Sequence, residues 1–261
     1  MISNSHHYFI LSFSPWPLIS SMNSFNLLLS LLIFLKFNSF ICFSLNILNI
    51  IVSSFIWWMI YSDEFNLEGK NSFNLDLGLK FSMILFISSE IFFFFSFFWS
   101  YFHFFLSPNM EIGLNWPSNM VEAFDCLNVP LINTLVLLSS GMTVTMSHHF
   151  LINGKFKLSS FYLMITIFLG VIFTILQLME YFSSFFSISD STFGTSFFML
   201  TGFHGIHVLI GTIFLFTTFM KMFSIISSKN DWLSFELASW YWHFVDVVWI
   251  FLYFLLYYLN S

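Results

Sequence analysis

Glu90 is the side chain whose position in this sequence most clearly requires a chemical explanation. It lies about nine residues into an apolar run that begins at Phe81, just before Ile91 and four consecutive phenylalanines. If that run is a helix, the carboxyl lies about 14 Å along it. A carboxylate at the centre of a bilayer costs at least about 2.5 kcal/mol, so such a group is expected to carry a proton or to bond a partner. Two interpretations remain open: a neutral carboxyl hydrogen-bonded to a neighbouring helix, or a proton-handling or lipid-facing regulatory group.

Two further pairs of polar residues have a helical spacing of three. They are His204 with His207, and His243 with Asp246. This spacing places both members of a pair on one helix face. Imidazole is a common metal ligand, but no thiolate or carboxylate completes a metal spacing such as His-Glu-x-x-His. We therefore predict no metal site, and instead an interhelical polar network of these four residues. The glycines expected to bring helices close together there are Gly202, Gly205 and Gly211.

The remaining polar and aromatic residues of the apolar runs suggest less. Glu180 comes near the end of the fifth run, where we expect it to be in contact with water and to have no special role. The cluster Trp240, Tyr241 and Trp242 is typical of headgroup anchoring or helix packing and needs no cofactor.

The composition indicates that these groups lie in a membrane. Of the 261 residues, 58% are hydrophobic and only 8% are charged, whereas a soluble domain has about 25% charged residues. The mean hydropathy is +0.86. The net charge is −6 and only 7 residues are basic, so no basic patch indicates a nucleic-acid partner.

Seven predominantly apolar runs are each long enough to cross a bilayer as a helix. Strand-like alternation is absent, so we predict an all-α membrane protein with seven transmembrane helices. The runs are Trp16–Leu35, Phe40–Tyr61, Phe81–Leu106, Val129–Ser147, Leu158–Phe182, Phe193–Met220 and Phe235–Leu259.

The connections between runs predict the organisation of the chain. The short segment 36–39 predicts a tight antiparallel hairpin of the first two helices. The longer segment that follows separates this hairpin from five further helices. We predict an N-terminal part at 1–61, an inner connecting loop at 62–80 and a five-helix bundle at 81–261.

The lysines predict the orientation, because positively charged loops stay on the side from which the chain is inserted. Only Lys36 lies on the side opposite the N-terminus. We therefore place the N-terminus inside and the C-terminus outside. The lysines on the N-terminal side are Lys70, Lys80, Lys155, Lys157, Lys221 and Lys229, and the acidic residues of the opposite loops are Glu111, Glu122, Asp125 and Asp190.

Several strings resemble subunit III of haem–copper cytochrome c oxidases, in order along essentially the whole chain. The most specific is Trp240-Tyr-Trp-His-Phe-Val-Asp-Val-Val-Trp-Ile-Phe-Leu-Tyr253. Others are Met83-Ile-Leu-Phe-Ile-Ser-Ser-Glu90, Val129-Pro-Leu-Ile-Asn-Thr134, Ser140-Gly-Met-Thr-Val-Thr145 and Thr201-Gly-Phe-His-Gly-Ile-His207.

The resemblance implies a core subunit, without redox centres of its own, of the respiratory terminal oxidase, which reduces oxygen to water and pumps protons. Its partners would be subunits I and II, which hold haem a, haem a3 and copper, and small nuclear-encoded subunits. It also implies a lipid-filled cleft between the first two helices and the other five, roles in complex stability, proton uptake and oxygen access, and phospholipid as a bound ligand. All seven basic residues are lysines and 42 residues are phenylalanines, which suggests AT-rich organellar coding and a mitochondrial inner membrane, with the N-terminus in the matrix.

The resemblance also assigns residues. Glu90 matches the family's buried, carbodiimide-reactive glutamate, and lipid contacts are implied for Trp58, Glu64, His207 and Lys221. The chain departs from the family after Trp58, where Met59-Ile60 and Asp63-Glu64 replace two arginine-containing pairs. Methionine and aspartate lack the planar fork with which arginine binds phosphate.

Two alternatives to the cytochrome c oxidase subunit stay open at this stage. One is subunit III of a quinol oxidase, which shares the fold. The other is a proton-coupled transporter that uses Glu90, Asp246 and the histidines. A transporter would be expected to contain paired helices interrupted by glycine or proline, and the sequence shows no such pair.

Overall fold

The structure, a computed structural model, describes residues 13–67, 73–108, 110, 113–118, 121–223 and 232–260. The side chains of residues 62–67, 73, 74 and 223 are outside this description. The predicted lipid contact of Glu64 and the predictions for Lys70, Glu111 and Lys229 therefore fall outside the described residues.

Seven long helices make up most of the described chain, and no strand occurs within the ranges above. All seven are long and apolar enough to cross a membrane, and a helix satisfies its own backbone hydrogen-bonding groups within the span. The prediction of an all-α chain with seven membrane helices is confirmed. The helices are α1 Trp16–Phe37, α2 Phe40–Leu67, α3 Phe73–Leu106, α4 Val129–Ile152, α5 Phe156–Ser183, α6 Thr192–Phe223 and α7 Leu233–Leu252, and α7 continues into a π-helical turn, Tyr253–Tyr257, and a 3-10 turn, Tyr258–Asn260.

The helix ends differ most from the prediction between the second and third runs. Residues 62–80 are predicted as a loop, yet α2 continues to Leu67 and α3 begins at Phe73. The physical reason is that Asp63 and Lys80 end an apolar run without ending a helix, since charged side chains are compatible with helical backbone once they reach water. Charge therefore marks the edge of the hydrophobic span and not the end of the helix.

The chain divides into two compact units, one ending at Leu79 and the other beginning at Lys80. In the first unit, Asn38 adopts a left-handed conformation (φ 54°) and its N–H bonds the carbonyl of Phe34, which ends α1 and lets α2 begin two residues later. Phe34 stacks on Phe43 at 5.8 Å between ring centroids, and Asn23 Nδ2 donates to Ser53 Oγ at 3.0 Å. These contacts join α1 and α2 as a hairpin.

In the second unit, α3 and α7 run in the same direction. Near their starts, Lys80 Nζ lies 2.6 Å from a carboxylate oxygen of Glu236. At the other end, Asn260 Nδ2 donates to the Tyr101 hydroxyl at 2.9 Å, and Tyr101 donates to the carbonyl of Leu255 at 2.8 Å. The third and seventh of a series of alternating spans should be parallel, and these contacts agree with that.

The helices differ greatly in how much of each is buried. In the most apolar stretch of each span, the share of residues that are buried is 0% for α2 and 56% for the span that contains α7. Helix α7 is the centre of the second unit, and it contacts α4 and α6. Its largest fully buried side chains are aromatic: Trp242 and Trp249 are no more than 1% exposed.

The turn between α5 and α6 is organised by Asp190. Its carboxylate accepts bonds from the backbone N–H and the hydroxyl of Ser187, both at 2.7 Å. These bonds stabilise the charged form and hold the pKa of Asp190 below its usual value. The lowered pKa means that this stabilisation is present at neutral pH and is lost as the pH falls through that pKa.

Candidate functional site

Glu90 of α3 and His207 of α6 meet within the second unit. The Nε2 atom of His207 lies 2.8 Å from Oε2 of Glu90, and the two side chains are 12% and 22% exposed. The two residues are 117 positions apart in the chain, so the spacing of motifs gave no signal for the pair. The carboxyl that the sequence singles out therefore has a hydrogen-bond partner on a neighbouring helix.

The second ring nitrogen of His207 defines the tautomer. Its Nδ1 lies 2.6 Å from the backbone carbonyl oxygen of Phe203. A carbonyl only accepts hydrogen bonds, so Nδ1 must carry a proton. Nε2 then either accepts from a protonated Glu90 or, as imidazolium, donates to the carboxylate. In both forms one proton lies between the two residues.

Aromatic rings surround this pair. Phe94 packs edge-on against the His207 ring at 5.1 Å, and Tyr241 lies roughly parallel to it at 6.5 Å. Both aromatic side chains are 2% exposed. In such a low-dielectric setting a polar contact is stronger than in water and is costly to leave unmade. The arrangement can hold a proton between the two residues, with part of the Glu90 side chain exposed at the surface of the described helices.

His204 is not joined to this pair. Its ring is 1% exposed, stacks on Trp249 at 5.1 Å and meets the edge of Phe173 at 5.7 Å. Neither ring nitrogen has a hydrogen-bond partner among the described residues. Helix geometry explains the separation, because residues three apart differ by about 60° around the axis, so one histidine faces α3 and the other faces α5 and α7. His204 is thus a packing residue in the described structure.

His243 and Asp246 lie close together without a hydrogen bond. His243 Nδ1 is 3.8 Å from Asp246 Oδ2, which is within ion-pair range but too long for a hydrogen bond. A methyl group at Gly141 of α4 would lie 2.6 Å from the same oxygen, so glycine lets α4 approach the Asp246 side chain. The structure does not bring the four predicted residues into one hydrogen-bonded network.

The Trp242 side chain of α7 packs against α4, α5 and α6. Its indole Nε1 donates to Ser140 Oγ of α4 at 2.9 Å. A Cβ atom added at Gly170 of α5 would lie 2.8 Å from this indole, and one added at Gly211 of α6 would lie 2.9 Å from it. The space filled by Trp242 is therefore bounded by α4, α5 and α6, and two of those boundaries require glycine.

The predicted role of small residues is correct for only one of three glycines. Gly211 makes the close contact just described, whereas a Cβ at Gly205 meets nothing within 4 Å and one at Gly202 meets only the Tyr181 hydroxyl at 3.9 Å. Gly141 and Gly170, which also make close contacts, lie beside neither of the two polar pairs in the sequence. Glycine content near a polar motif is a weak signal, because the opposing side chain decides whether close approach is needed.

Comparison with known proteins agrees with the strings in the sequence. The profile of the family described as "Cytochrome c oxidase subunit III" matches residues 6–261. The chain belongs to the cytochrome c oxidase subunit III family. Among named relatives, "Cytochrome c oxidase subunit 3" of Rhipicephalus sanguineus is 46% identical over 97% of this chain and 98% of its own length. The corresponding proteins of Pisaster ochraceus and Anopheles gambiae are 43% and 44% identical, over 100% and 98% of both chains.

Membership of this family gives the chain a subunit III role in the terminal oxidase of the respiratory chain, in a complex with other oxidase subunits. The matching family and the named relatives are cytochrome c oxidase subunits. The matches therefore favour that interpretation over a quinol oxidase subunit or a transporter. The described residues contain no group of three or more His, Cys, Asp or Glu side chains that could hold a metal ion.

The residues that the resemblance assigns to lipid are placed differently from one another. Trp58 of the first unit is 71% exposed, and Lys221 lies in the last turn of α6. His207 has both ring nitrogens engaged, by Glu90 and by the carbonyl of Phe203. His207 is therefore not placed to offer either nitrogen to a lipid headgroup in this structure.

Glu180 corrects an expectation of the sequence analysis. It is predicted to contact water because it lies near a helix end. In the structure its side chain is 2% exposed and accepts a hydrogen bond from the Tyr257 hydroxyl at 2.9 Å. Tyr257, in the turn after α7, packs against α5 at this position. Distance from a helix end does not predict exposure when another element packs over that end.

The Lys80–Glu236 ion pair joins residues far apart in the sequence, and no local pattern predicts it. Both groups are about one-third exposed, and such pairs contribute about 0–1 kcal/mol. We expect Lys80→Gln to lower the thermal stability of the subunit within the complex slightly, by less than about 1 kcal/mol, with a smaller effect at high salt. The temperature at which the subunit is released, measured at two ionic strengths, tests this.

The matched control is Lys157→Gln, at an exposed lysine. A salt-independent loss in the Lys80 variant, or an equal loss in both variants, would contradict an electrostatic contribution of the pair.

Proposed function

We propose that this chain is a supporting subunit in which the Glu90–His207 pair holds a proton that assists proton uptake and protects the oxidase during turnover. The observation that carries the proposal is the 2.8 Å contact between Glu90 Oε2 and His207 Nε2. Because the Phe203 carbonyl requires a proton on Nδ1, one further proton is shared between Nε2 and the carboxyl. The pair can thus take up or give up a proton without moving a helix.

The partial exposure of the pair supports exchange with an outside phase. Glu90 is 22% exposed, whereas Phe94 and Tyr241 close the opposite side of the histidine ring. In this proposal a proton reaches the carboxyl from this exposed side through polar groups of the assembled complex, because the span itself is surrounded by lipid. The proposal does not require this chain to carry electrons.

The redox chemistry belongs, in this proposal, to partner subunits. Haem a, haem a3 and copper would be held by subunits I and II, and small nuclear-encoded subunits would complete the complex. The enzyme would then act as an oxidoreductase and translocase, with no catalytic redox centre in this chain. Phospholipid bound to the α1–α2 hairpin, access of oxygen and the division of the chain into a hairpin and a five-helix bundle remain predictions of the family resemblance.

The location proposed is the mitochondrial inner membrane, with the N-terminus on the matrix side and the C-terminus on the intermembrane-space side. The distribution of the lysines supports this orientation. Seven helices, an odd number, would place the two termini on opposite sides.

Glu90→Gln tests the proposed function. Glutamine can still hydrogen-bond His207 Nε2 through its amide N–H, but it cannot take up or release a proton. We expect haem and copper content and assembly to be unchanged, proton uptake to be slowed severalfold, and activity to decline in fewer turnovers. Proton uptake and oxygen consumption of the purified complex in vesicles are the measurements.

Glu90→Leu is the companion variant, because it removes both the proton and the hydrogen bond. If the glutamine variant behaves like the unmodified complex while only the leucine variant is impaired, the contact is structural and the proposal is wrong. Loss of the haem signal in Glu90→Gln would also contradict it.

A further inference from the structure

One stripe of α7 stays exposed, although the span that contains this helix has the largest share of buried residues of the seven. The members of the stripe recur every three or four residues, so they share one face of the helix. Trp240, Val247 and Ile250 are 37%, 51% and 46% exposed. His243 lies among them, and its side chain is 42% exposed.

The exposed stripe continues onto α4. A methyl group at Gly141 would lie 3.8 Å from His243 Nδ1, so α4 passes directly beside the imidazole. Leu138 and Thr145 come three residues before and four residues after Gly141, which places them on the same side of α4, and both are exposed. We call this region the His243 surface. It consists of Trp240, His243, Val247 and Ile250 of α7 with Leu138 and Thr145 of α4.

The imidazole lies deep in the membrane span. His243 comes ten residues after Leu233 and 17 residues before Asn260, the ends of the span, which corresponds to about 15 Å and 25 Å at 1.5 Å per residue. Lipid headgroups at the two ends are therefore too far away to bond it. Ionisable side chains at such depth almost always face protein or a polar partner. A histidine that is nearly half exposed in this chain alone should thus face something other than lipid tails.

His243 also has unused hydrogen-bonding capacity. Its Nδ1 atom lies 3.8 Å from Asp246 Oδ2, and neither ring nitrogen forms a hydrogen bond within the described part of the chain. A small shift that closed the gap to Asp246 would occupy Nδ1 alone. Nε2 would still lack a partner, and an unpaired polar group in a hydrocarbon setting is costly.

The two possible forms of the His243–Asp246 pair determine the chemistry of that partner. If Nδ1 carries a proton and donates to the carboxylate, Nε2 of the neutral ring accepts, so the partner must donate. If Asp246 carries the proton and donates to Nδ1, Nε2 carries the ring proton and the partner must accept. Hydroxyl and carboxamide groups do both. A carboxylate, an ammonium or a guanidinium group does only one, and it would add a charge inside the membrane.

We propose that the His243 surface is the contact with a transmembrane helix of a neighbouring oxidase subunit, and that this helix presents a hydroxyl or carboxamide side chain to His243 Nε2. Family membership places the chain in a complex with other oxidase subunits, so protein partners exist at this depth. Polar side chains that bond across a helix contact are a usual feature of membrane interfaces. The proposal is independent of the proton role proposed for Glu90 and His207.

A high-resolution density map of the intact oxidase that contains this chain tests the proposal directly. We expect a helix of another subunit against the His243 surface, with a hydroxyl or carboxamide group within about 3.2 Å of His243 Nε2. Lipid acyl chains against the imidazole would overturn the proposal. So would coverage of this surface by the α1–α2 hairpin of the same chain.

His243→Leu provides a second test in the same complex. At the detergent concentration at which half of the unmodified complexes keep this subunit, we expect retention to fall at least about twofold, because leucine cannot bond the neighbouring helix. His243→Gln should retain more subunit than His243→Leu, since a carboxamide can also donate and accept. The control is His149→Leu, at an exposed histidine near the end of α4, which should behave like the unmodified complex.

Three results from these variants would overturn the proposal. They are full retention in His243→Leu, equal losses in His243→Leu and His149→Leu, and a loss in His243→Gln as large as in His243→Leu. If His243→Leu fails to fold, the density map of the unmodified complex decides the question.

Discussion

Trp242→Ala is expected to destabilise the subunit by about 3–5 kcal/mol, the usual cost of removing a large aromatic side chain from a packed core. The indole is fully buried, fills the space bounded by α4, α5 and α6, and donates to Ser140 Oγ. Alanine would leave a cavity and remove the bond that Ser140 Oγ accepts, although the Ser140 hydroxyl would still donate to the carbonyl of Leu137. The measurement is the temperature at which the subunit dissociates from the purified complex, together with its yield in assembled oxidase.

The control for this prediction is Trp240→Ala, two residues earlier in the same helix. Trp240 is 37% exposed, so its removal deletes the same number of atoms from a surface position. We expect a clearly smaller effect. Equal losses from the two variants would show that tryptophan content in α7 matters and that the central position of Trp242 does not.

Gly170→Ala is expected to cost about 1–3 kcal/mol, although alanine is the better helix former. The added methyl carbon would lie 2.5 Å from Thr212 Cγ2 and 2.8 Å from the Trp242 ring, distances at which one of these rigid side chains must move. Gly205→Ala is the matched control, because nothing lies within 4 Å of its Cβ position. It should be neutral or slightly stabilising.

A double variant tests the physical reason for the Gly170 effect. Trp242→Phe makes room beside Gly170, so part of the loss caused by Gly170→Ala should be relieved when both are present. Additive losses, or a Gly205→Ala loss as large as that of Gly170→Ala, would contradict the overpacking explanation. Thermal release of the subunit is again the measurement.

The sequence predicts the seven helices well because a single strong physical requirement produces them. A segment that crosses lipid must be long, apolar and internally bonded, and each of these properties is local. The ends of α2 and α3 are predicted poorly because the edge of a hydrophobic run reports where water begins. The parallel arrangement of α3 and α7 follows from counting spans.

The candidate site is less predictable, because its contacts join distant positions. The cost of burying Glu90 indicates that a partner should exist, but nothing local indicates that the partner is His207, 117 residues away. The same i, i+3 pattern that suggested a joint role for His204 and His207 places them against different neighbours. Burial of Glu180 depends on the turns after α7, and no property of α5 alone would reveal it.

The position of Trp242 has a consequence for biogenesis. The last helix is the last part of the chain to leave the ribosome, so the earlier spans enter the bilayer before the side chain that completes their packing exists. Until then, the space beside Gly170 and Gly211 lacks the indole that fills it in the folded chain. A product terminated before residue 233 would retain six membrane spans, yet it would lack the centre of its core, and quality-control proteases should recognise it as unfinished.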